Sequence, residues 1–233
     1  MNEHNHIVRS YDQEQAALLD ELIRMGQMAA SQLEAALEVV DRHDASAAER
    51  VIANDDAIDA LEQQVNHDVI HLIRRGPLAS DLRTILAALR VASDIERIGD
   101  YAANIAKRSL ALNMAPPLPH TRGLGALGKM AVQQLRDVMA AYRDRDVEAA
   151  VRVRDRDAEL DTLYTGLFRE LLTYMMEDPR AITPCTHLLF MAKNLERIGD
   201  HATNIAENIW FLQHGESPLP EREKRDESNT VAP

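Results

Sequence analysis

The chain has 233 residues and a net charge of −12, from 26 basic and 38 acidic side chains. That balance argues against a nucleic-acid partner, since backbone binding needs clustered positive charge, and suits cations or basic protein surfaces instead. Aromatics are only 4% of a chain that is 45% hydrophobic, and its Ala, Leu, Glu, Gln and Arg all favour helix over sheet.

No apolar run approaches the ~20 residues needed to cross a bilayer. The start, MNEHNHIVRSYDQEQ, lacks the basic-then-apolar pattern of a secretory signal. The single cysteine, Cys185, closes no intrachain disulfide and is expected to be a small buried apolar group. A cytoplasmic protein without a transmembrane segment is expected.

Leu18, Leu22, Met25, Ala29, Leu33, Leu37 and Val40 recur at steps of three or four residues, which predicts a first helix. Asp44 is placed to cap a second, carrying Ile58, Leu61, Val65, Val69 and Leu72. The run Arg75, Gly76, Pro77 breaks it. A third helix is predicted from Ser80 or Asp81 to Leu112. The proline-rich APPLP at 115–119 ends that helix, because successive prolines withhold donors and fix φ.

The second half repeats the plan. MGQMAASQL at 25–33 matches LGKMAVQQL at 127–135, an offset of 102. At the same offset Asp44 pairs with Asp146, Val51 with Val153, Asp55 with Asp157 and Asp59 with Asp161. In the third helix the offset is 100, so two residues are lost around the intervening turn, where loops absorb such gaps. A helical hairpin cannot cover its own apolar stripe. The expected fold is therefore all-α, a tandem repeat of two antiparallel three-helix bundles with six long helices, paired end to end or side by side. The first bundle would span 1–113 and the second 122–213, joined by a linker at 114–121. A disordered polar tail would follow at 214–233.

The third helices carry the most similar stretches. ASDIERIGDYAANIAK at 92–107 and AKNLERIGDHATNIAE at 192–207 agree at ten of sixteen positions. At ~100° per residue, Ile95, Ile98, Ala102 and Ile105 form one core stripe, and Glu96 and Asp100 lie roughly 140–180° from its centre. The acids are expected to face away from the bundle's own core. Like charges four residues apart cost a helix about 0.2–0.5 kcal/mol. Gly99 and Gly199 each cost about 1 kcal/mol relative to alanine. A cost repeated at equivalent positions points to a compensating gain: a glycine admitting close approach, and carboxylates sharing a cation.

On the second helices, Asp55 and Asp59 flank the apolar stripe, with Glu62 next, and Asp157 and Asp161 recur at the matching places. Acids near the seam between antiparallel helices can reach a common ion. An all-oxygen donor set suits Mg²⁺, Mn²⁺, Ca²⁺ or oxygen-rich iron sites. With one cysteine and no H-E-x-x-H, nothing resembles zinc spacing.

The doubled E-R-I-G-D-x-A-x-N-I-A stretch resembles that of the PhoU family, over nearly the whole chain from about Ser10 to Leu212. The resemblance implies two packed three-helix bundles, often dimeric, with metal clusters on a surface of each. It places the E-x-x-x-D metal motif on Glu96 and Asp100 and again on Glu196 and Asp200, and less directly brings in Asp55, Asp59, Asp157 and Asp161. Expected ions are Mg, Mn or Fe. It also implies a negative regulator of the phosphate-starvation response, linking the ATPase subunit of a phosphate ABC transporter to a phosphate-sensing histidine kinase. A homodimer is expected.

Other features have plainer readings. His67 and His71 share a helix face as a ligand pair or, better, as a solvent-facing or partly packed pair; His201 stands beside Asp200 where the first half has Tyr101, and an extra ligand in one copy is its minor reading. Arg97 and Arg197 either orient the acids or form ordinary surface salt bridges. No nucleophile–base constellation and no G-x-x-x-x-G-K-[ST] loop occurs, so the expected protein is not an enzyme. A carboxylate-bridged metal enzyme and a metal-free helical scaffold are the alternatives.

Overall fold

The computed structural model describes residues 3–76, 79–114, 122–215 and 219. Six long helices and one short 3₁₀ turn account for nearly all of them: α1 Glu3–Arg42, α2 Ala45–Arg74, α3 Ala79–Leu112, α4 Arg122–Asp144, α5 Val147–Glu177, a 3₁₀ turn at Pro179–Ala181, and α6 Ile182–His214. No strand occurs among the described residues. Most of the expected linker (114–121) and tail (214–233) lies outside them.

The turns follow from local chemistry, and the two repeats solve them alike. Asp44 caps α2 by accepting from the Ala47 N–H, and Asp146 caps α5 by accepting from the Ala149 N–H, both at 2.9 Å. The residue before each cap, His43 and Arg145, adopts a left-handed φ of 55° and 53°. A tight reversal demands that conformation, at a cost of roughly 1–2 kcal/mol for a side chain with Cβ. Asn113 supports the first turn by donating to the His43 carbonyl at 3.2 Å. Asp44→Ala and Asp146→Ala should each lower stability by about 0.5–2 kcal/mol, read by urea unfolding. The two-residue gap falls where expected. Ala79–Asp81 is already α-helical in α3, whereas the equivalent Pro179–Ala181 forms the 3₁₀ turn ahead of α6.

Within each repeat the three helices close on one another, α1 with α2 and α3, and α4 with α5 and α6. Leu22, Met25, Leu33, Ile58, Ile95 and Ile98 are fully buried in the first core, as are Leu127, Leu135, Leu160, Leu195 and Ile198 in the second. The two cores form one continuous apolar cluster.

The repeats pack side by side through α3 on α6 and α1 on α4, leaving α2 and α5 on the outside. The α1–α4 contact is reciprocal. A Cβ on Gly26 would lie 2.7 Å from Met139 Cε, and a Cβ on Gly128 would lie 2.5 Å from Leu37 Cδ2. Positions 26 and 128 are equivalent, and so are 37 and 139, so the pattern is that of a two-fold interface written within one chain. Equivalent residues meet near its axis. Glu34 accepts from Arg136 Nη2 at 2.7 Å, and the Tyr101 and His201 rings lie 5.7 Å apart.

Candidate functional site

The acids predicted as ligands line two seams, α2 against α3 and α5 against α6. In the first, Gly99 permits the close approach of α2. A Cβ there would stand 3.0 Å from Ile58 Cδ1 and 3.3 Å from Asp55 Oδ1. Gln32, reaching across from α1, donates to Asp55 Oδ1 at 2.9 Å and to the Gly99 carbonyl at 3.2 Å. Asp55 is thus positioned by a buried amide against the motif glycine.

Asp59, Glu62, Glu96 and Asp100 complete this first set. Burial pushes the Glu96 carboxyl above its ordinary range; Asp100, Glu62 and Asp59 add to that, against Arg97. Burial likewise raises Asp55; Asp100 and Asp59 push the same way, while the Gln32 hydrogen bond opposes. Arg97 lies 3.5 Å from Glu96 Oε2 and 3.4 Å from Asp100 Oδ2, with most of its side chain in solvent. The carboxylates therefore feel one another from two helices, which is the condition a shared cation relieves.

The second seam is drier and differently charged. Asp157, Asp161 and Glu196 are 1%, 3% and 5% exposed. A Cβ on Gly199 would lie 2.6 Å from Asp157 Oδ1 and 3.2 Å from both Gln134 Oε1 and Leu160 Cδ2. Gln134 donates to Asp157 Oδ1 at 3.1 Å. Lys193 Nζ lies 2.9 Å from Glu196 Oε1 and 4.9 Å from the centre of the Tyr164 ring. Glu196, expected to face away from its own core, is 5% exposed and has the Lys193 ammonium against it.

Asp55 and Asp157 stand against the motif glycines, Asp59 and Asp100 act on Glu96, and Asp161 and Glu196 are buried in the second repeat. Among the described residues, however, no three His, Cys, Asp or Glu side chains already converge on one ion position. The donor chemistry fits a hard cation best in the first seam, where five carboxylates lie within mutual influence. In the second, an ammonium already stands on Glu196.

Comparison with known proteins gives the same two units. The PhoU domain family matches residues 22–109 and 124–209. The chain belongs to the PhoU family. It is 63% identical to a phosphate-specific transport system accessory protein PhoU homolog of Xylella fastidiosa (strain 9a5c), over 97% of this chain and 96% of that protein. It is 45% identical to the homolog of Rhizobium meliloti (strain 1021), over 98% and 97%. The crystal structure of PhoU from Pseudomonas aeruginosa superposes with a TM-score of 0.85 at 32% identity, covering 88% of this chain and 99% of that one.

Each PhoU match runs from within the first helix of a repeat to near the end of its third, and so takes in Gln32 or Gln134 as well as the acids. Those two glutamines are seam residues that the acid pattern alone does not point to. Their signal is their identity at the 102-residue offset inside a largely apolar stretch. His67 and His71 are exposed on α2, in accord with the solvent-facing alternative. His201 turns away from the seam: its Nδ1 sits 2.8 Å from Asp94 Oδ1 of α3, which also accepts from Asn204 Nδ2 at 3.1 Å. Arg197 Nη1 donates to the Tyr101 hydroxyl at 3.3 Å across the same α3–α6 contact. Cys185 is buried, which raises its thiol pKa.

The raised acids carry a pH consequence. An acid whose folded pKa lies above its unfolded value stabilises the fold fully below that unfolded value, 3.8 for Asp55 and 4.5 for Glu96. The contribution is lost as the pH rises through the folded pKa. In chelator-treated protein, Glu96→Gln should therefore raise Tm at pH 7 by about 0.4–2 °C, given about 0.2–0.5 kcal/mol for the relieved repulsion. The gain should vanish near pH 4, as read by melts across that range.

Proposed function

We propose that this chain is a metal-binding cytoplasmic regulator of phosphate uptake and of the phosphate-starvation response. It acts as a non-enzymatic adaptor between the ATPase subunit of a phosphate ABC transporter and a phosphate-sensing histidine kinase, and keeps the response off when phosphate is plentiful. The observation that carries the reading is the pair of equivalent carboxylate seams, each built around a motif glycine, in a PhoU-family chain. The relatives' names, which place them with phosphate-specific transport, supply the pathway. No helix among the described residues is long and apolar enough to cross a membrane, so contact with a transporter would run through protein surfaces.

In this reading Asp55, Asp59, Glu96 and Asp100 would hold a divalent or iron-type ion at the first seam, and Asp157, Asp161, Glu196 and Asp200 at the second. Bound Mg, Mn or Fe would neutralise the crowded carboxylates and tie the second helix of a repeat to the third. The protein works as a homodimer, so that each partner meets repeated surfaces.

Deleting the gene should release phosphate-starvation genes from repression at high phosphate; unchanged repression would sink the regulatory reading. Pull-downs with the transporter ATPase and with the cytoplasmic part of the kinase test the adaptor role, and light scattering tests the dimer. A metal-free scaffold is the second reading, favoured by the basic groups already on the acids: Arg97 beside Glu96 and Asp100, and Lys193 on Glu196. Elemental analysis of the purified protein separates the two.

A further inference from the structure

We propose that the two seams are unequal: the Lys193 ammonium is the resident cation of the second, and the first is the one that takes a divalent ion. The inference rests on the metal-binding reading above and adds a division of labour between the repeats. It starts from two linked exchanges at equivalent positions. Where the second repeat has Lys193 and Tyr164, the first has Ser93 and Glu62.

In the second seam the ammonium has a built environment. It touches the buried Glu196 carboxylate at 2.9 Å and lies over the Tyr164 ring at 4.9 Å. A lysine over an aromatic face gains more as water is excluded, and a buried carboxylate that lost its counter-ion would be strongly destabilised. A divalent ion entering there has to displace a cation already held, next to aspartates that are almost completely covered.

The first seam lacks all of this. Ser93 is exposed and brings no charge, and Glu62, half-buried on α2 where the second repeat has Tyr164, adds a carboxylate in place of a ring. Asp55, Asp59, Glu96 and Asp100 are only partly buried, which leaves an ion a way in. The basic side chains on α3 near these acids, Arg97 and Lys107, are both exposed. Arg97 approaches no nearer than 3.4 Å from a largely exposed position. Ligand charge count is a main determinant of affinity for hard cations, and here it favours the first seam.

Mn²⁺ titration of the metal-stripped full-length protein, counted by calorimetry and by the electron-paramagnetic-resonance signal of free Mn²⁺, tests this. The wild type should show one class of tight binding that Glu96→Gln/Asp100→Asn abolishes and Glu196→Gln/Asp200→Asn leaves in place. Lys193→Ser should add a second class of sites. Ser93→Lys, an exposed change that the fold tolerates, should weaken the first by at least about tenfold, since it brings a cation to the ligands. Circular dichroism confirms folding in each case. Equal loading of both seams in the wild type, or Ser93→Lys with undiminished affinity, would overturn the inference while leaving metal binding intact. No Mn²⁺ uptake by any variant would instead remove the metal-binding reading and the inference with it.

Discussion

Replacing Gly199 with alanine is expected to destabilise the protein by about 1–3 kcal/mol, although alanine normally gains about 1 kcal/mol over glycine inside a helix. The reason is the seam. The added methyl would come within 2.6 Å of Asp157 Oδ1 and 3.2 Å of Gln134 Oε1 and Leu160 Cδ2. Asp157 has little room to swing away, because it is buried and accepts the Gln134 amide. Gly99→Ala is the informative control. Its nearest neighbours, Ile58 Cδ1 at 3.0 Å and Asp55 Oδ1 at 3.3 Å, are less tightly placed. That variant should lie within about 1 kcal/mol of wild type, as propensity and crowding offset one another. Urea unfolding of the two variants side by side measures the difference; equal losses would show that the second seam is no tighter than the first.

Truncating Ile58 to alanine should cost about 2–5 kcal/mol, the range for removing a fully buried aliphatic side chain and leaving a cavity. Ile58 is fully buried and lies directly over Gly99. Adding Gly99→Ala to this background should recover roughly 1 kcal/mol, because the new methyl enters vacated space and the helix gains propensity. The two changes touch one another, so their effects should not add. Chemical denaturation of the two single variants and the double variant gives the coupling energy; strict additivity would mean that the glycine and the isoleucine do not share the seam as described.

Much of the fold is legible in the chain because helices advertise themselves through short-range chemistry. The steps of three and four from Leu18 to Val40, and the aspartates at 44 and 146, depend only on neighbours in sequence, and both appear in the structure as read. The turn at 179–181 is legible as a gap in the repeat but not as a 3₁₀ turn. The 3₁₀ form shows in the i→i+3 bond from the Ile182 N–H to the Pro179 carbonyl, which a gap in the repeat does not reveal.

The candidate site is legible by halves. Glu96, Asp100, Glu196 and Asp200 stand out because the motif is written twice, and a glycine between the acids marks a close approach. What approaches is not written locally. Gln32 and Gln134 come from the first helix of each repeat, 23 residues before the aspartates they hold. The helical angle of Glu196 speaks only of its own helix, and its near-complete burial comes from packing that the angle does not contain. His201 shows the same limit: its neighbour in sequence is Asp200, but its contact is Asp94 of the other repeat.

Repetition, helix type, cap positions and the identity of the acids were therefore determined by the sequence alone, since each rests on interactions spanning a few residues. Only the tertiary structure decided that the repeats lie side by side about an internal two-fold, with Gly26 and Gly128 letting α1 and α4 close. It alone decided that one seam is half open while the other is buried under Lys193 and Tyr164. Burial and counter-ion contact depend on residues far apart in the chain, and two nearly identical motifs acquire different electrostatics from the neighbours that packing brings to them.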